Sequence, residues 1–351
     1  MRRRRASHAP SDPPWGGRSS GACWVRFSEA RAAADPAPAI PTLTQASTAE
    51  RHAAIGSLFV FTAAVAFSGK SVLIKLAYGY GVDATALFAL RQIFSAPFFA
   101  FLAWWSRNPA AEHAGVTRGD WLRLAGLGLL GYYVAALLDF LGLEYVGASL
   151  ERLILFLYPT VVLVLSAWWL KTRIRPVQLV ALPMSYAGIG LVFFEHLQGQ
   201  APGGHLLLGG SLVFASAIAY SVYLIGSSRV VHRFGAVRFT SWAMLAATAA
   251  GITQFALTHG VDALRLPLPV YGLAAIMAIF STVLPAILMS EGLRRVGANQ
   301  AALIGTIGPV VTMLLSAVFL GERMGPAQIA GSLLVLAGVL LVSLRRGGPP
   351  G

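Results

Sequence analysis

The chain has a single cysteine, Cys23, in 351 residues, which excludes an intramolecular disulfide and any cysteine-based metal cluster. Its seven histidines are scattered, and no two share the spacing of metal ligands on a helix, so no metal or cofactor is expected. Within the long apolar runs there is no HExxH, no GxSxG and no His or Asp pair, which leaves an intramembrane enzyme without a reactive centre. There is no P-loop, so ATP-driven pumping within this chain is not expected. Charge is scarce as well. Charged residues make up 12% of the chain against 56% hydrophobic ones, and the mean hydropathy is +0.67. An ordinary water-soluble domain is not built at that ratio. The formal charge of +13 would suggest nucleic acid in a soluble chain. Here the cations lie in the N-terminal stretch and in short links between apolar runs, so membrane topology accounts for them and no nucleic-acid partner is expected.

What the chain does contain is a repeat. VGASLERLILFLYPTVVLVLSAWWLKTRIRPVQLVALPMSYAGIGLV at 146–192 returns without a gap as VGANQAALIGTIGPVVTMLLSAVFLGERMGPAQIAGSLLVLAGVLLV at 296–342. Of the 47 positions 18 are identical, and Pro159/Pro309, Pro176/Pro326, Gln178/Gln328 and Gly188/Gly338 keep register, which shared hydrophobicity alone would not preserve. Each copy holds two apolar runs of roughly 19 to 25 residues, long enough to cross about 30 Å of hydrocarbon as helices. Upstream, GLGLLGYYVAALLDFLGL matches AIMAIFSTVLPAILMSEGL at the same offset.

Spans are expected at about 56–77, 84–105, 119–140, 146–170, 176–194, 206–226, 237–258, 269–289, 297–320 and 326–344. The fold class is therefore an all-α membrane protein of ten transmembrane helices, in two five-helix repeats at 55–195 and 206–345. Five is odd, so the repeats lie in opposite senses across the bilayer. Residues 1–54, rich in Arg, Ala, Pro and Ser, are expected as a disordered basic tail, and 346–351 as a short C-terminal one. The start faintly resembles an organelle transit peptide, but RRRR has no apolar stretch behind it to make a secretory signal. Thirteen Lys and Arg residues, from Arg107 to Arg346, border the side that holds the termini, and only Arg265 and Arg323 border the other. Both termini are expected in the cytoplasm. The link Lys171-Thr172-Arg173-Ile174-Arg175 loses two of its three cations in its copy, Gly321 to Gly325, as inversion requires.

With SGKSVLIKLAY, ALFALRQIF, ERLILFLYPTVVLVLSAWWL and IGPVVTMLLSAVFLGERMGPAQIAG in view, the chain resembles the drug/metabolite transporter superfamily, specifically its EamA-type members. The resemblance covers about residues 55–345. It implies ten spans in two inverted repeats and transport of small metabolites, often export of amino acids or related compounds. Lys171-Thr172-Arg173 departs from the Gly-Glu-Arg or Gly-Glu-Lys that many members carry there, a departure consistent with orientation.

Ionisable groups inside spans are costly and face a cavity or a partner. Lys70, Arg91, Glu151 and Arg152 lie about 8–10 Å below the outer boundary, and Lys75 and Asp139 within roughly 3 Å of it. These six leave a surplus of two positive charges. The second half does not copy them: Asp139 aligns with Met289, Glu151 with Ala301, and Arg152 with Ala302. Lys75 and Asp139 read as interfacial anchors. Arg91 and Glu151 read either as a buried ion pair or as substrate contacts, and Lys70 is the leading substrate-site candidate. Tyr132, Tyr133, Tyr158, Tyr220 and Tyr223 offer hydroxyl handles to a cavity, or packing alone. Pro159 and Pro309 fall near mid-span, as fixed kinks or as hinges.

The expected function is secondary transport, in the export direction, of a small metabolite by alternating access. The surplus of cations favours a carboxylate or phosphate, as in an amino acid or organic anion. Proton coupling is open to such a protein, and the expected location is the bacterial cytoplasmic (inner) membrane. The alternatives are an intramembrane enzyme and a non-transporting membrane sensor or assembly protein.

Overall fold

A computed structural model of the protein describes residues 43–106, 116–169, 171, 176–199 and 205–344. Contacts divide the chain into residues 1–49 and a compact unit of residues 50–351, and every contact below lies within the latter. Among the described residues there are helices and no strand. Helix α1 (Leu43–Tyr78) starts inside the stretch expected as a tail; residues 1–42 lie outside the described residues. After it come α2 (Ala84–Trp105), α3 (Arg118–Gly128), α4 (Ala135–Tyr145), α5 (Ala148–Leu155), α6 (Tyr158–Trp169) and α7 (Pro176–Gly199). The second half runs α8 (His205–Phe234), α9 (Ala236–Thr258), α10 (Leu268–Ala278), α11 (Leu284–Gly305), α12 (Ile307–Leu320) and α13 (Pro326–Leu344).

Among the described residues, six stretches are long and apolar enough to cross a membrane: Arg51–Tyr78, Ala84–Trp105, Arg118–Tyr145, Ala148–Trp169, His205–Phe234 and Leu268–Val296. Leu182–Glu195, Ile307–Leu320 and Pro326–Leu341 are shorter apolar helices. Helix α9, which carries Arg238, Thr240, Ser241, Thr248 and Gln254, falls in neither group.

Local chemistry sets several boundaries. Asp83 caps α2 by accepting from the Ala86 N–H at 2.9 Å. Thr117 and Asp120 form a reciprocal capping box at the start of α3. Gly235 turns the chain between α8 and α9 at φ +80°, and Gly321 ends α12 at φ +67°, conformations that suit glycine. Two interruptions repeat at the offset seen in the sequence. A π-helical turn at Leu129–Val134 joins α3 to α4, and another at Ile279–Val283 joins α10 to α11, starting 150 residues later. Helix α5 ends at Leu155 and α6 begins at Tyr158, next to Pro159; α11 ends at Gly305 and α12 begins at Ile307, before Pro309. Each proline thus sits in the first turn of a new helix, where its missing N–H costs nothing.

One expected link between spans is absent. The sequence placed a link between spans at 290–296, but α11 runs helically through it to Gly305. No proline interrupts 286–305, so nothing obliges the helix to stop there. The first-half counterpart breaks at Val146-Gly147, where the chain turns extended (ψ 155° and 157°) and an acid from another link caps the new helix.

Helix α8 packs along α4, α9 along α2, and α7 along α13. Close approach depends on glycine at the last contact. A Cβ on Gly188 would lie 2.5 Å from the Gly331 carbonyl oxygen and 2.9 Å from Val335. The main apolar core, with Phe88, Phe140, Leu87, Leu143 and Met277 fully buried, joins α1, α2, α4 and α10.

Candidate functional site

Three helices bring opposite charges together. Lys70 of α1 hydrogen-bonds Oδ2 of Asp139 on α4, and its Nζ lies 3.6 Å from Oε1 of Glu151 on α5. Ser71, one residue along α1, donates to Glu151 Oε2 at 2.6 Å. Glu151 is 0% exposed, Asp139 2% and Lys70 6%, so this cluster is dry enough for each charge to need a partner. The Asp139 and Glu151 carboxyl groups also lie within side-chain hydrogen-bond reach of each other. Behind the cluster, Ser68 donates to the Gly308 carbonyl at 3.0 Å, and Thr312 donates back to the Ser68 carbonyl at 3.1 Å, which fixes α12 against α1.

Two arginines lie beside the cluster without acidic partners at ion-pair distance. The Arg91 guanidinium sits 5.2 Å from the Phe88 ring centre and 5.1 Å from that of Phe140, and its Nε is buried without an acceptor. The Arg152 guanidinium lies 4.7 Å from the Phe67 ring centre and against Gly308, and its Nε also lacks an acceptor. Cation–π contact of this kind lowers the cost of burying a guanidinium; Arg91 Nη2 also donates to Gln92 Oε1 at 3.5 Å, so its Nε is the donor left without an acceptor.

The expectations for these charges divide accordingly. The Arg91–Glu151 pair does not form; Glu151 is held by Ser71 and Lys70. Asp139 is not an interfacial anchor but the hydrogen-bond partner of Lys70. Helix α4 continues to Tyr145 rather than ending near 140, which sets Asp139 about 9 Å inside the helix end. Lys75 donates to the Leu143 carbonyl at 2.9 Å, away from the cluster.

A cavity of about 700 Å³ opens in front of these groups, lined by Lys70, Arg91, Asp139 and Arg152. Glu151 lies behind the wall. Tyr132, Tyr158, Tyr220 and Pro159 also line the cavity, whereas Tyr223 stands behind Tyr132, the two hydroxyls 2.8 Å apart. Tyr133 points elsewhere and donates to Gln254 at 2.9 Å. Pro309 is buried outside the lining. Both π-helical turns contribute wall residues: Gly131 and Tyr132 from one, Ser281 and Thr282 from the other. Such turns widen the helix locally and recur at functional sites.

From the charge cluster the cavity extends to Thr240 and Met244 near the start of α9 and to Met289 and Ser290 of α11. At the opposite end, Glu322, in the link after α12, closes onto α5. Its Oε1 accepts from the Ala148 N–H at 2.8 Å, and its Oε2 accepts from the Ser149 N–H at 3.2 Å and hydroxyl at 2.6 Å. The carboxylate thereby caps the helix whose next turn carries Glu151 and Arg152. Sequence reading missed Glu322, Ser71 and Phe67. A signal for Glu322 existed, since its repeat mate is Thr172 and only the second of the two equivalent links carries an acid at that position.

Comparison with known proteins decides the class. Residues 54–194 and again 207–344 match the EamA-like transporter family. The chain belongs to that family. Among its EamA relatives, the uncharacterized transporter YcbK of Bacillus subtilis (strain 168) is 33% identical over 290 residues, covering 80% of this chain and 90% of the relative. A probable terminal-alkyne amino-acid exporter of Streptantibioticus cattleyicolor is 44% identical over 61 residues, 17% of this chain and 20% of its own. A solved crystal structure superposes with a TM-score of 0.58 at 19% identity, covering 84% of this chain and 99% of that one, a likeness of fold alone. As an EamA-family chain with several apolar helices, this is a multi-pass membrane transporter.

Proposed function

We propose that this EamA-family chain exports a small carboxylate-bearing metabolite, an amino acid or an organic anion, by alternating access. The observation that carries the reading is the cavity in which Arg91 and Arg152 keep unpartnered donors beside a cluster that already neutralises Lys70. With Lys75 turned away, three cations face two acids, and an anion is the ligand such a surplus attracts. Arg152 is the leading anion contact, with Arg91 second; Tyr158, Tyr220 and Tyr132 shape the rest of the wall.

In this reading ten helices cross the membrane as two inverted repeats, 55–195 and 206–345. The twin π-helical turns and twin helix breaks, each at the 150-residue offset, support it, as do the two stretches that match the family. Arg118, Arg123, Arg229, Arg233, Arg294 and Arg295 stand at the end toward which the cavity extends, so positive-inside topology makes that end cytoplasmic. The geometry then corresponds to a site facing its cytoplasmic supply, with Glu322 holding the outer end shut. The breaks before Pro159 and Pro309 serve as hinges on opposite sides. Asp139 in the wall and Glu151 behind it, within hydrogen-bond reach of each other, are the candidates for proton coupling.

Inside-out vesicles of the bacterial cytoplasmic membrane, with and without the protein, test the reading. Labelled amino acids and organic acids should accumulate in the former, an imposed pH gradient should change the rate, and Arg152→Gln should cut accumulation about 10- to 100-fold. Accumulation equal to that of empty vesicles for every compound would refute transport of this class.

A further inference from the structure

We propose that Val296-Gly297-Ala298, helical in this structure, is a helix break held closed, and that it opens when the matching break at Val146-Gly147-Ala148 closes. The proposal rests on the alternating-access reading and names the element of each half that changes shape within it.

One tripeptide stands in two conformations in the same chain. At 146–148 the backbone is extended, with Val146 at φ −116°, ψ 155° and Gly147 at φ −68°, ψ 157°, and a separate helix, α5, begins at Ala148. At 296–298, at the repeat offset, α11 runs on to Gly305. Identical residues have identical local propensities, so something outside the tripeptide makes the choice.

Packing just before the tripeptide does not make it, because that packing is the same in both halves. A Cβ on Gly142 of α4 would lie 2.6 Å from Val213 Cγ2 and 3.0 Å from the Gly209 carbonyl oxygen of α8. A Cβ on Gly292 of α11 would lie 2.6 Å from Val60 Cγ2 and 3.0 Å from the Gly56 carbonyl oxygen of α1. Gly209 in turn meets Val146, and Gly56 meets Val296. The two crossings are one contact made twice.

The difference lies one residue further on. Ala148 and Ser149 give their N–H groups to Glu322, which satisfies two of the donors that a helix start leaves open. Thr172 stands at the matching place for the other half, so no carboxylate is offered there to a helix starting at Ala298. The Ala298 and Asn299 amides lie instead inside α11, where such groups bond carbonyls one turn back. Glycine is poorly suited to a helix interior, so position 297 works against the straight form. Before the tripeptide, Glu291 holds Arg294 and Arg295, and Arg295 lies 5.0 Å from the Phe59 ring centre. Beyond it, an exposed hydrogen bond joins Gln300 to Ser57 Oγ at 3.3 Å. When inverted halves exchange conformations, 296–298 becomes extended and 146–148 helical, and segment 298–305 swings as α5 does now.

Hydrogen exchange on the purified full chain tests this, read from peptides covering 143–153 and 293–303. Glu322→Ala removes the cap that favours the break at 146–148. A lost cap shifts such a balance about 2- to 30-fold, so exchange at 298–300 should quicken by that factor while α2 stays unchanged. No change at 298–300, or equal quickening in α2, would overturn the proposal. Gly297→Pro acts from the other end. Proline fits φ −68° after an extended residue, the geometry at 146–147, and does not fit a helix interior. It should slow exchange at 147–150, where helical bonds replace open amides. It should also expose Ala136→Cys, in the cavity wall, to an impermeant maleimide from outside in a Cys23→Ser background. Outside labelling with exchange at 147–150 unmoved would overturn the paired breaks and leave alternating access standing. No outside labelling in either variant, with exchange altered at both breaks, would count against alternating access itself. Glu322→Ala decides the proposal alone where Gly297→Pro does not fold.

Discussion

Replacing Gly147 by alanine should change sign with the identity of residue 322. Gly147 has φ −68° and ψ 157°, a conformation open to any residue, so its backbone does not require glycine. What requires it is Glu322: a Cβ at 147 would lie 2.8 Å from Oε1. A carboxylate tip normally moves aside at little cost. This one is pinned by two N–H groups and a hydroxyl, so moving it uncaps α5. Losing a cap costs about 0.5–2 kcal/mol, and a partly buried, charged acceptor belongs in the upper half of that range. Gly147→Ala in wild type should therefore destabilise by about 1–2 kcal/mol. In Glu322→Ala the cap is already gone, and the same change should stabilise by about 0.4–1 kcal/mol by restricting the unfolded chain. A double-mutant cycle from reversible unfolding in detergent reads the coupling directly. If Gly147→Ala has the same effect in both backgrounds, the cap does not hold α5 and the outer closure is misassigned.

Further expectations follow from the same contacts. Lys70→Met strands two buried carboxylates and should cost about 3–5 kcal/mol, most of it recovered by adding Asp139→Asn and Glu151→Gln, whereas Arg91→Met and Glu151→Gln should add within about 0.5 kcal/mol, both read from unfolding midpoints. Gly188→Ala should cost about 1–3 kcal/mol by pushing α7 from α13, while Gly190→Ala, with open space around it, should be neutral or stabilising; thermal melts of the pair separate packing from helix propensity. In a Cys23→Ser background, Met324→Cys should react with an impermeant maleimide from outside intact cells and Ser228→Cys only from inside-out vesicles. The reverse pattern would overturn the proposed topology.

Helical content and the duplication were legible in the sequence because both are written in one dimension, as apolar run length and as residues kept in register. Lys70, Arg91, Glu151 and Arg152 were equally visible, since a charge within an apolar run stands out on its own. Their pairing was not. Which face of α1 meets which face of α5 depends on the rotation of each helix about its axis, and run length carries no information on that. Asp139 was misplaced for a different reason. Leu141, Gly142, Leu143, Glu144 and Tyr145 fade in hydropathy, so the span seemed to end near 140, but α4 remains helical through them and carries Asp139 deeper. At 290–296 the opposite bias acted: Glu291, Arg294 and Arg295 suggested a link, although they satisfy each other across successive helical turns, with Glu291 accepting from both arginines at 2.7–3.0 Å. The π-helical turns left no trace in composition.

Those turns also bear on the energetics of a working cycle. In the alternating-access reading proposed above, the two turns are equivalent parts of two inverted halves, and the limiting case is a pair of identical halves that meet head to tail. For such a pair the inward-open and outward-open forms are mirror roles of identical subunits and must have equal free energy. The cluster of Lys70, Asp139, Glu151 and Arg152 has no counterpart opposite Met289 and Ala301, and that degeneracy is lifted. One of the two forms becomes the ground state of the empty protein, and a resting preference for one side of the membrane is fixed before any substrate arrives.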